Sequence, residues 1–192
     1  MTTLILGLLL FIGVHSIGSL APGWRDAQIA ARGMNLYRAV YSLLTLLALV
    51  MIVWGYGQSR LHPIDLWSPP IWLRHLSSLL TLVAFVLVAA AYVPRNRLKA
   101  AIGHPMTAGI KAWALAHLLS NGRLADVLLF GSFMVWAAMV FAIARRRDRA
   151  AGVSKSGSDL FGNGLTILAG LGGWAVFAFW LHGPLIGVRP FS

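Results

Sequence analysis

The chain has 192 residues, of which 58% are hydrophobic and 11% are charged, and its mean hydropathy is +0.76. Soluble domains carry about a quarter charged residues, so this composition predicts an integral membrane protein. The absence of cysteine excludes disulfides, thiolate nucleophiles and iron–sulfur ligation. All five acidic residues are aspartate, so the glutamate that often couples protons or cations inside membranes is missing.

Long apolar segments predict an all-α bundle of six transmembrane helices, or of five with a peripheral sixth. They lie at about 2–20, 36–57, 71–92, 105–120, 124–144 and 164–188. Most are long enough for a hydrocarbon core that needs about 20 helical residues, whereas the fourth is short. The tight connection at 121–123 predicts a hairpin of the fourth and fifth segments. The first segment lacks a preceding basic stretch and is interpreted as a retained helix rather than a signal peptide.

The formal charge of +11 is distributed unevenly over the predicted loops, which favours membrane topology over nucleic-acid binding. One side holds Arg25, Arg32, Arg38, Arg95, Arg97, Lys99, Arg145, Arg146, Arg147, Arg149 and Lys155. The other side holds only Arg60, Arg123 and Arg189. The positive-inside rule then predicts that the basic side faces the cytoplasm, that both termini lie on the other side, and that membrane lipid is a partner.

The charged, Ser- and Gly-rich stretch after the fifth segment predicts a flexible connection. We therefore expect a transmembrane core at 1–145, a cytoplasmic linker at 146–163 and an additional, loosely attached C-terminal helix at 164–192.

The segment 103–122 concentrates the candidate functional residues, namely His104, Lys111, Trp113 and His117. Pro105 and Gly109 fit the start of a helix that packs closely against a neighbour. His15 lies inside the first predicted helix. An ionisable group within a membrane helix is costly, so His15 and His117 are functional candidates, although hydrogen bonding between helices would also explain them.

Two chemistries suit these histidines. Imidazoles from two helices can ligate haem iron axially, with Trp113 and other apolar side chains around the porphyrin, or imidazoles can hold a divalent metal. Haem fits better, because no intramembrane carboxylate is expected to complete a mixed metal site. Haem propionates need cationic partners, and Arg38 and Lys111 are candidates unless they only extend to the lipid headgroups.

Several of these residues resemble the NnrU family of bacterial membrane proteins. The shared pattern comprises His15-Ser16, Tyr37-Arg38, His104-Pro105, Gly109, Trp113, Ala116-His117-Leu118 and Asn121-Gly122 over about residues 1–145. The resemblance implies a link to nitric oxide and nitrite metabolism in denitrifying bacteria. It also implies homology to the plant 15-cis-zeta-carotene isomerase, a haem b protein whose two histidine ligands match His15 and His117.

This chain departs from that isomerase at Ala114, where the enzyme has a cysteine proposed as an exchangeable ligand. A weaker similarity, through His104-Pro105, is to isoprenylcysteine carboxyl methyltransferases, which bind S-adenosylmethionine. Gly103 replaces their arginine, and their downstream acidic residues have no glutamate counterpart here.

We therefore expect a haem b-binding NnrU-like protein with His15 and His117 as axial ligands, and with Arg38, Lys111, His104 and Trp113 around the cofactor. The resemblance implies that it lies in the bacterial inner membrane, so both termini are expected in the periplasm. The alternatives are a haem-dependent isomerase of an apolar polyene, a cofactor-free assembly protein and, last, a methyltransferase. The sequence assigns no catalytic residue and leaves open whether the protein is an enzyme. It also leaves open the substrate, the redox partner, the oligomeric state and whether His75 or His104 replaces His15.

Overall fold

The computed structural model describes residues 1–153 and 157–191, and these residues form α-helices, one π-helical turn and no β-strand. The helices are α1 (Thr2–Leu20), α2 (Pro22–Arg32), α3 (Met34–Ser59), α4 (Trp72–Tyr92), α5 (Arg97–Ile102), α6 (Pro105–Ser120), α7 (Leu124–Ala150), α8 (Leu160–Val176) and α9 (His182–Ile186). The π-helical turn, Phe177–Leu181, joins α8 to α9. The prediction of an all-α fold is confirmed for the described residues.

Five helices in the described part of the chain are long and apolar enough to cross a membrane: α1, α3, α4, α7 and the continuous run Leu160–Ile186. The fourth predicted segment does form α6, but its 16 residues span only roughly 24 Å. That is less than a hydrocarbon core of about 30 Å, so the structure supports five candidate spans rather than six. The short helices α2 and α5 were not predicted from the apolar segments.

The chain divides into two compact units. The first contains Met1–Trp67 and Arg123–Ser132, and the second contains Ser68–Gly122 and the described residues from Phe133 onwards. In the first unit, α1 and α3 pack closely and antiparallel at two glycines. A Cβ added at Gly7 would lie 2.9 Å from the backbone nitrogen of Ile52, and one added at Gly55 would lie 2.7 Å from Cα of Leu4. Glycine therefore allows the two backbones to approach.

In the second unit, α4 packs against α6. Gly109 faces the backbone of α4, where an added Cβ would lie 3.0 Å from the carbonyl oxygen of Ala84. The Ser77 hydroxyl donates a 2.6 Å hydrogen bond to the carbonyl of Ala116. Pro105 occupies the first turn of α6, where its missing N–H costs no helical hydrogen bond. The predicted helix start and close approach at Gly109 are both confirmed.

The last long helix, α8, is also packed into the second unit rather than attached peripherally. A Cβ added at Gly170 would lie 2.6 Å from Cα of Val86 in α4, and the Trp174 indole N–H donates to Thr81 at 3.1 Å. At the start of α8, the Asn163 amide oxygen accepts from the backbone N–H of Arg97. These contacts join α8 to α4 and to the start of α5.

The region predicted as a linker, 146–163, is partly helical, because α7 continues to Ala150 and α8 begins at Leu160. The Asp159 side chain caps α8 by accepting from the N–H of Gly162 at 2.6 Å. The middle of this predicted linker, residues 154–156, lies outside the described residues, and so does Lys155 of the topology argument.

Candidate functional site

His15 is held in one orientation by its own helix. Its ring stacks on Phe11 with the ring centroids 4.0 Å apart, and Nδ1 lies 2.8 Å from the carbonyl oxygen of Phe11. A carbonyl oxygen can only accept, so Nδ1 carries the proton. In a neutral imidazole the ring lone pair that can bind a metal is then on Nε2. Tyr41 of α3 adds a tilted ring contact, with a centroid distance of 5.4 Å.

His117 repeats this arrangement on α6. Its Nδ1 donates to the carbonyl oxygen of Trp113 at 2.9 Å, and its ring lies 5.2 Å from the Trp113 ring. The Trp113 ring packs edge-on against Phe133 of α7, with centroids 5.7 Å apart. Trp113 therefore contributes both the backbone acceptor and a packed ring beside His117, and the Nε2 lone pair of His117 is again the one that can bind a metal.

The two histidines thus share one local motif, an aromatic residue four positions before the histidine whose carbonyl accepts the Nδ1 proton. Histidines that ligate metals usually donate their other ring N–H to a carbonyl, a carboxylate or water, which sets the tautomer and the ring direction. His15 belongs to the first unit, and His117 belongs to the second. Each is half-buried within its own unit.

His104 has a different environment at the N-terminal end of α6. Its Nε2 donates to the Asp148 carboxylate at 2.8 Å, and its ring packs edge-on against Phe141. Nε2 of His104 is therefore engaged by a carboxylate from α7. Asp148 was missed as a partner in the sequence, because 44 residues separate it from His104.

Lys111 lies on the same side of α6 as His104, and its Nζ is 4.1 Å from the centroid of the Phe141 ring. This cation–π contact holds a positive charge on a mainly apolar helix. With the Trp113–Phe133 and His104–Asp148 contacts, it also shows that α6 and α7 run antiparallel within the second unit, which confirms the predicted hairpin there.

The remaining propionate candidate, Arg38, is exposed on the first turn of α3. It follows Tyr37, whose ring is covered by the Arg25 guanidinium at 5.8 Å. Tyr37 stacks in turn on Tyr41, which contacts His15. A row of rings therefore runs from the polar end of the first unit to His15.

A buried carboxylate in the first unit was also missed from the sequence. Asp126 is 2% exposed at the start of α7. One of its oxygens accepts from the Tyr56 hydroxyl at 2.5 Å, and the other accepts from the backbone N–H of Arg123 at 3.2 Å. Both oxygens are thus satisfied without a basic side chain, and the second bond caps the helix. We assign Asp126 a structural role.

The other histidines offer no convergent metal site. His62 and His75 are exposed, and His182 is partly buried and donates from Nδ1 to the carbonyl of Val188 at 2.6 Å. Within residues 1–153 and 157–191, no group of three or more His, Cys, Asp or Glu side chains is placed to hold a metal ion. Haem needs only two protein ligands, so it does not require a group of three or more such side chains.

Comparison with known proteins places the chain in a family. No curated protein and no solved structure matches it. The model of the family described as NnrU protein matches residues 3–190, which includes α8 and α9 beyond the residues 1–145 that carry the resemblance in sequence. The chain therefore belongs to the NnrU family.

Proposed function

We propose that this NnrU-family chain is a multi-pass protein of the bacterial inner membrane that binds haem b, with His15 and His117 as the axial ligands. The observation that supports the proposal is the shared geometry of these two side chains. In both, Nδ1 donates to a backbone carbonyl one turn earlier, so the neutral ring can offer Nε2 to iron.

The donor set fits haem better than a bare divalent ion. Bis-histidine ligation is satisfied by two neutral imidazoles, whereas zinc sites generally need three or four protein ligands. A bound haem b would supply reversible one-electron chemistry at its iron. The protein's own contribution is to hold two imidazoles in defined tautomers and orientations and to surround them with aromatic rings, Phe11 beside His15 and Trp113 beside His117.

Lys111 and Arg38 are the proposed partners of the two anionic propionates. Lys111 is held over Phe141 six residues into α6, and Arg38 lies on the first turn of α3, next to the aromatic row that ends at His15. Lys111 is already ordered in an apolar setting, and such a cation binds a carboxylate more strongly than one in bulk water, because the local dielectric is lower. Loss of either charge is expected to weaken haem retention.

The direct test is an absorption spectrum of detergent-purified protein, produced with a haem supply, before and after dithionite. We expect a Soret band with sharp α and β bands on reduction, at about one haem per chain. His15→Ala and His117→Ala should each lose the low-spin spectrum. The matched control is His182→Ala, because His182 also donates from Nδ1 to a backbone carbonyl, but this hydrogen bond is exposed, whereas those of His15 and His117 are partly buried.

Two results would overturn this proposal. One is a colourless protein that fails to bind added haem. The other is an unchanged haem spectrum in both the His15→Ala and His117→Ala proteins, which would remove the ligand assignment. Loss of haem in the His182→Ala control alone would move the site to the C-terminal helix and count against the assignment equally.

We also propose a role in nitrogen-oxide metabolism, with a redox partner in the membrane or an apolar small molecule as the substrate, on the ground of family membership alone. A deletion strain growing on nitrite should accumulate more nitric oxide than its parent. The wild-type gene should restore the parental level, whereas the double variant His15→Ala/His117→Ala should not. Full rescue by that double variant would separate this role from the two histidines and contradict the proposal.

The orientation proposed from the basic residues is tested separately. Because the natural chain has no cysteine, single cysteines can be placed without background labelling. A cysteine that replaces Arg97 should react with an impermeant maleimide only from the cytoplasmic side. A cysteine that replaces Gln58, on the opposite predicted side, should react only from the periplasmic side. The reverse pattern would invert the topology.

A further inference from the structure

The short helix α2 has its apolar side turned away from the protein. At 100° per residue, Trp24, Ala27, Ala30 and Ala31 fall on one side of this helix, and all four are exposed, with Trp24 at 53%. In a water-soluble protein such a side would normally face the core. Here it needs an apolar environment from outside the chain.

The opposite side of α2 packs against the protein and is mainly polar. Arg25, Gln28 and Ile29 lie on that side, with spacings of three and four residues, and all three are partly buried. The Arg25 guanidinium covers the Tyr37 ring of α3 at 5.8 Å and pairs with Asp26 at 3.0 Å. This packing determines which side of the helix is left outside.

The position of α2 identifies what covers it. The helix begins two residues after α1 ends at Leu20 and ends two residues before α3 begins at Met34. Both neighbours are candidate membrane spans, so the connection between them emerges at the membrane surface. Tryptophan is enriched at that level, and amphipathic helices lie there with their apolar side toward the acyl chains.

The charge of the segment favours one kind of lipid. Residues 22–38 contain three arginines and one aspartate, and the pairing of Arg25 with Asp26 leaves Arg32 and Arg38 as excess positive charge. Arg32 and Arg38 are both exposed. Basic groups beside a membrane span bind anionic headgroups.

We propose that α2 is an interfacial anchor that lies in the membrane plane. Trp24, Ala27, Ala30 and Ala31 contact the acyl chains, and Arg32 contacts the phosphates of anionic phospholipids. The inference rests on the membrane insertion proposed above and is independent of haem. A second protein copy or a soluble partner on the same side of α2 is the competing occupant.

Site-directed spin labelling of the cysteine-free chain tests this assignment. Single cysteines replace Trp24, Ala27 or Ala31 on the outer side, Gln28 on the packed side, and Leu46 in the middle of α3 as the membrane reference. The labelled proteins are placed in vesicles of phosphatidylcholine alone or with phosphatidylglycerol, and collision rates are measured with oxygen and with a water-soluble nickel chelate.

Labels at Trp24→Cys, Ala27→Cys and Ala31→Cys should collide several-fold more often with oxygen than with nickel, as at Leu46→Cys, whereas Gln28→Cys should be shielded from both. Preferential collision of the outer labels with nickel would place α2 in water and overturn the proposal. Shielding of the outer labels from both reagents would indicate a protein partner and also overturn it. A water-like result at Leu46→Cys would instead refute membrane insertion itself.

The lipid charge is tested with the Ala27→Cys label. Phosphatidylglycerol should move the label deeper, and the Arg32→Gln variant should abolish that shift. A variant that loses a basic residue elsewhere, Arg74→Gln, should keep it. An equal depth in the two kinds of vesicle would overturn the assignment to anionic lipid.

Discussion

The contact between α1 and α3 allows a quantitative test with two glycines of the same helix. Gly55 faces the backbone of Leu4, whereas an added Cβ at Gly57 would have nothing within 4 Å among the described residues. Replacing either glycine by alanine improves helix propensity by about 1 kcal/mol. The two substitutions therefore differ only in the steric consequence of the new methyl group.

At Gly55 the new Cβ would lie 2.7 Å from Cα of Leu4 and still closer to the Leu4 nitrogen. Carbon atoms pack best at roughly 3.5–4.0 Å, so α1 must move by about 1 Å at this point. Overpacking of this kind costs about 1–3 kcal/mol. Gly57→Ala should thus stabilise the protein by up to about 1 kcal/mol, and Gly55→Ala should be about 1–3 kcal/mol less stable than Gly57→Ala.

The assay is reversible unfolding of the two variants in mixed micelles, as the denaturing detergent fraction is increased and helicity is followed by circular dichroism. The helix-propensity contribution cancels in the comparison, so the difference measures the close approach itself. Equal stabilisation by the two alanines would refute the packing of α1 on α3 described here.

Three further predictions test other contacts. Tyr56→Phe removes the hydroxyl that donates to buried Asp126, so it should destabilise the protein by about 1.5–3 kcal/mol in the same unfolding assay. The control Tyr92→Phe should have almost no effect, because Tyr92 is 76% exposed. Gly170→Ala should loosen α8 from α4 and increase proteolysis between α7 and α8, because its new Cβ would meet Val86. Gly172→Ala should not, because its Cβ would have open space. Equal cleavage of the two variants would contradict the packing of α8. His104→Ala should keep the haem spectrum, because its Nε2 is used by Asp148, and loss of the low-spin bands would make His104 a ligand instead.

The predictions from sequence succeeded where the determining interactions are local. Four of the six apolar segments, 2–20, 36–57, 71–92 and 105–120, match helices to within two residues, because a long apolar run has few alternatives to helix in a bilayer. The amphipathic α2 escaped notice because it is short and polar on average. Gly7 and Gly170 lie at close helix contacts, whereas an added Cβ at Gly13 or Gly172 would have nothing within 4 Å among the described residues. The residues that pack against a glycine are distant in the sequence, so its neighbours in the chain do not predict whether it lies at a close contact.

The sequence by itself determined that the chain is helical, that its long helices are apolar, and that His15 and His117 each follow an aromatic residue by four positions, since these properties depend on composition and on the helical repeat. Only the tertiary structure decided that His104 binds Asp148, that Tyr56 binds Asp126 across 70 residues, and that α8 packs against α4. It also decided which side of α2 is left exposed. Those outcomes depend on which helix faces meet, and that choice is made by the packing of the whole unit rather than by any one segment.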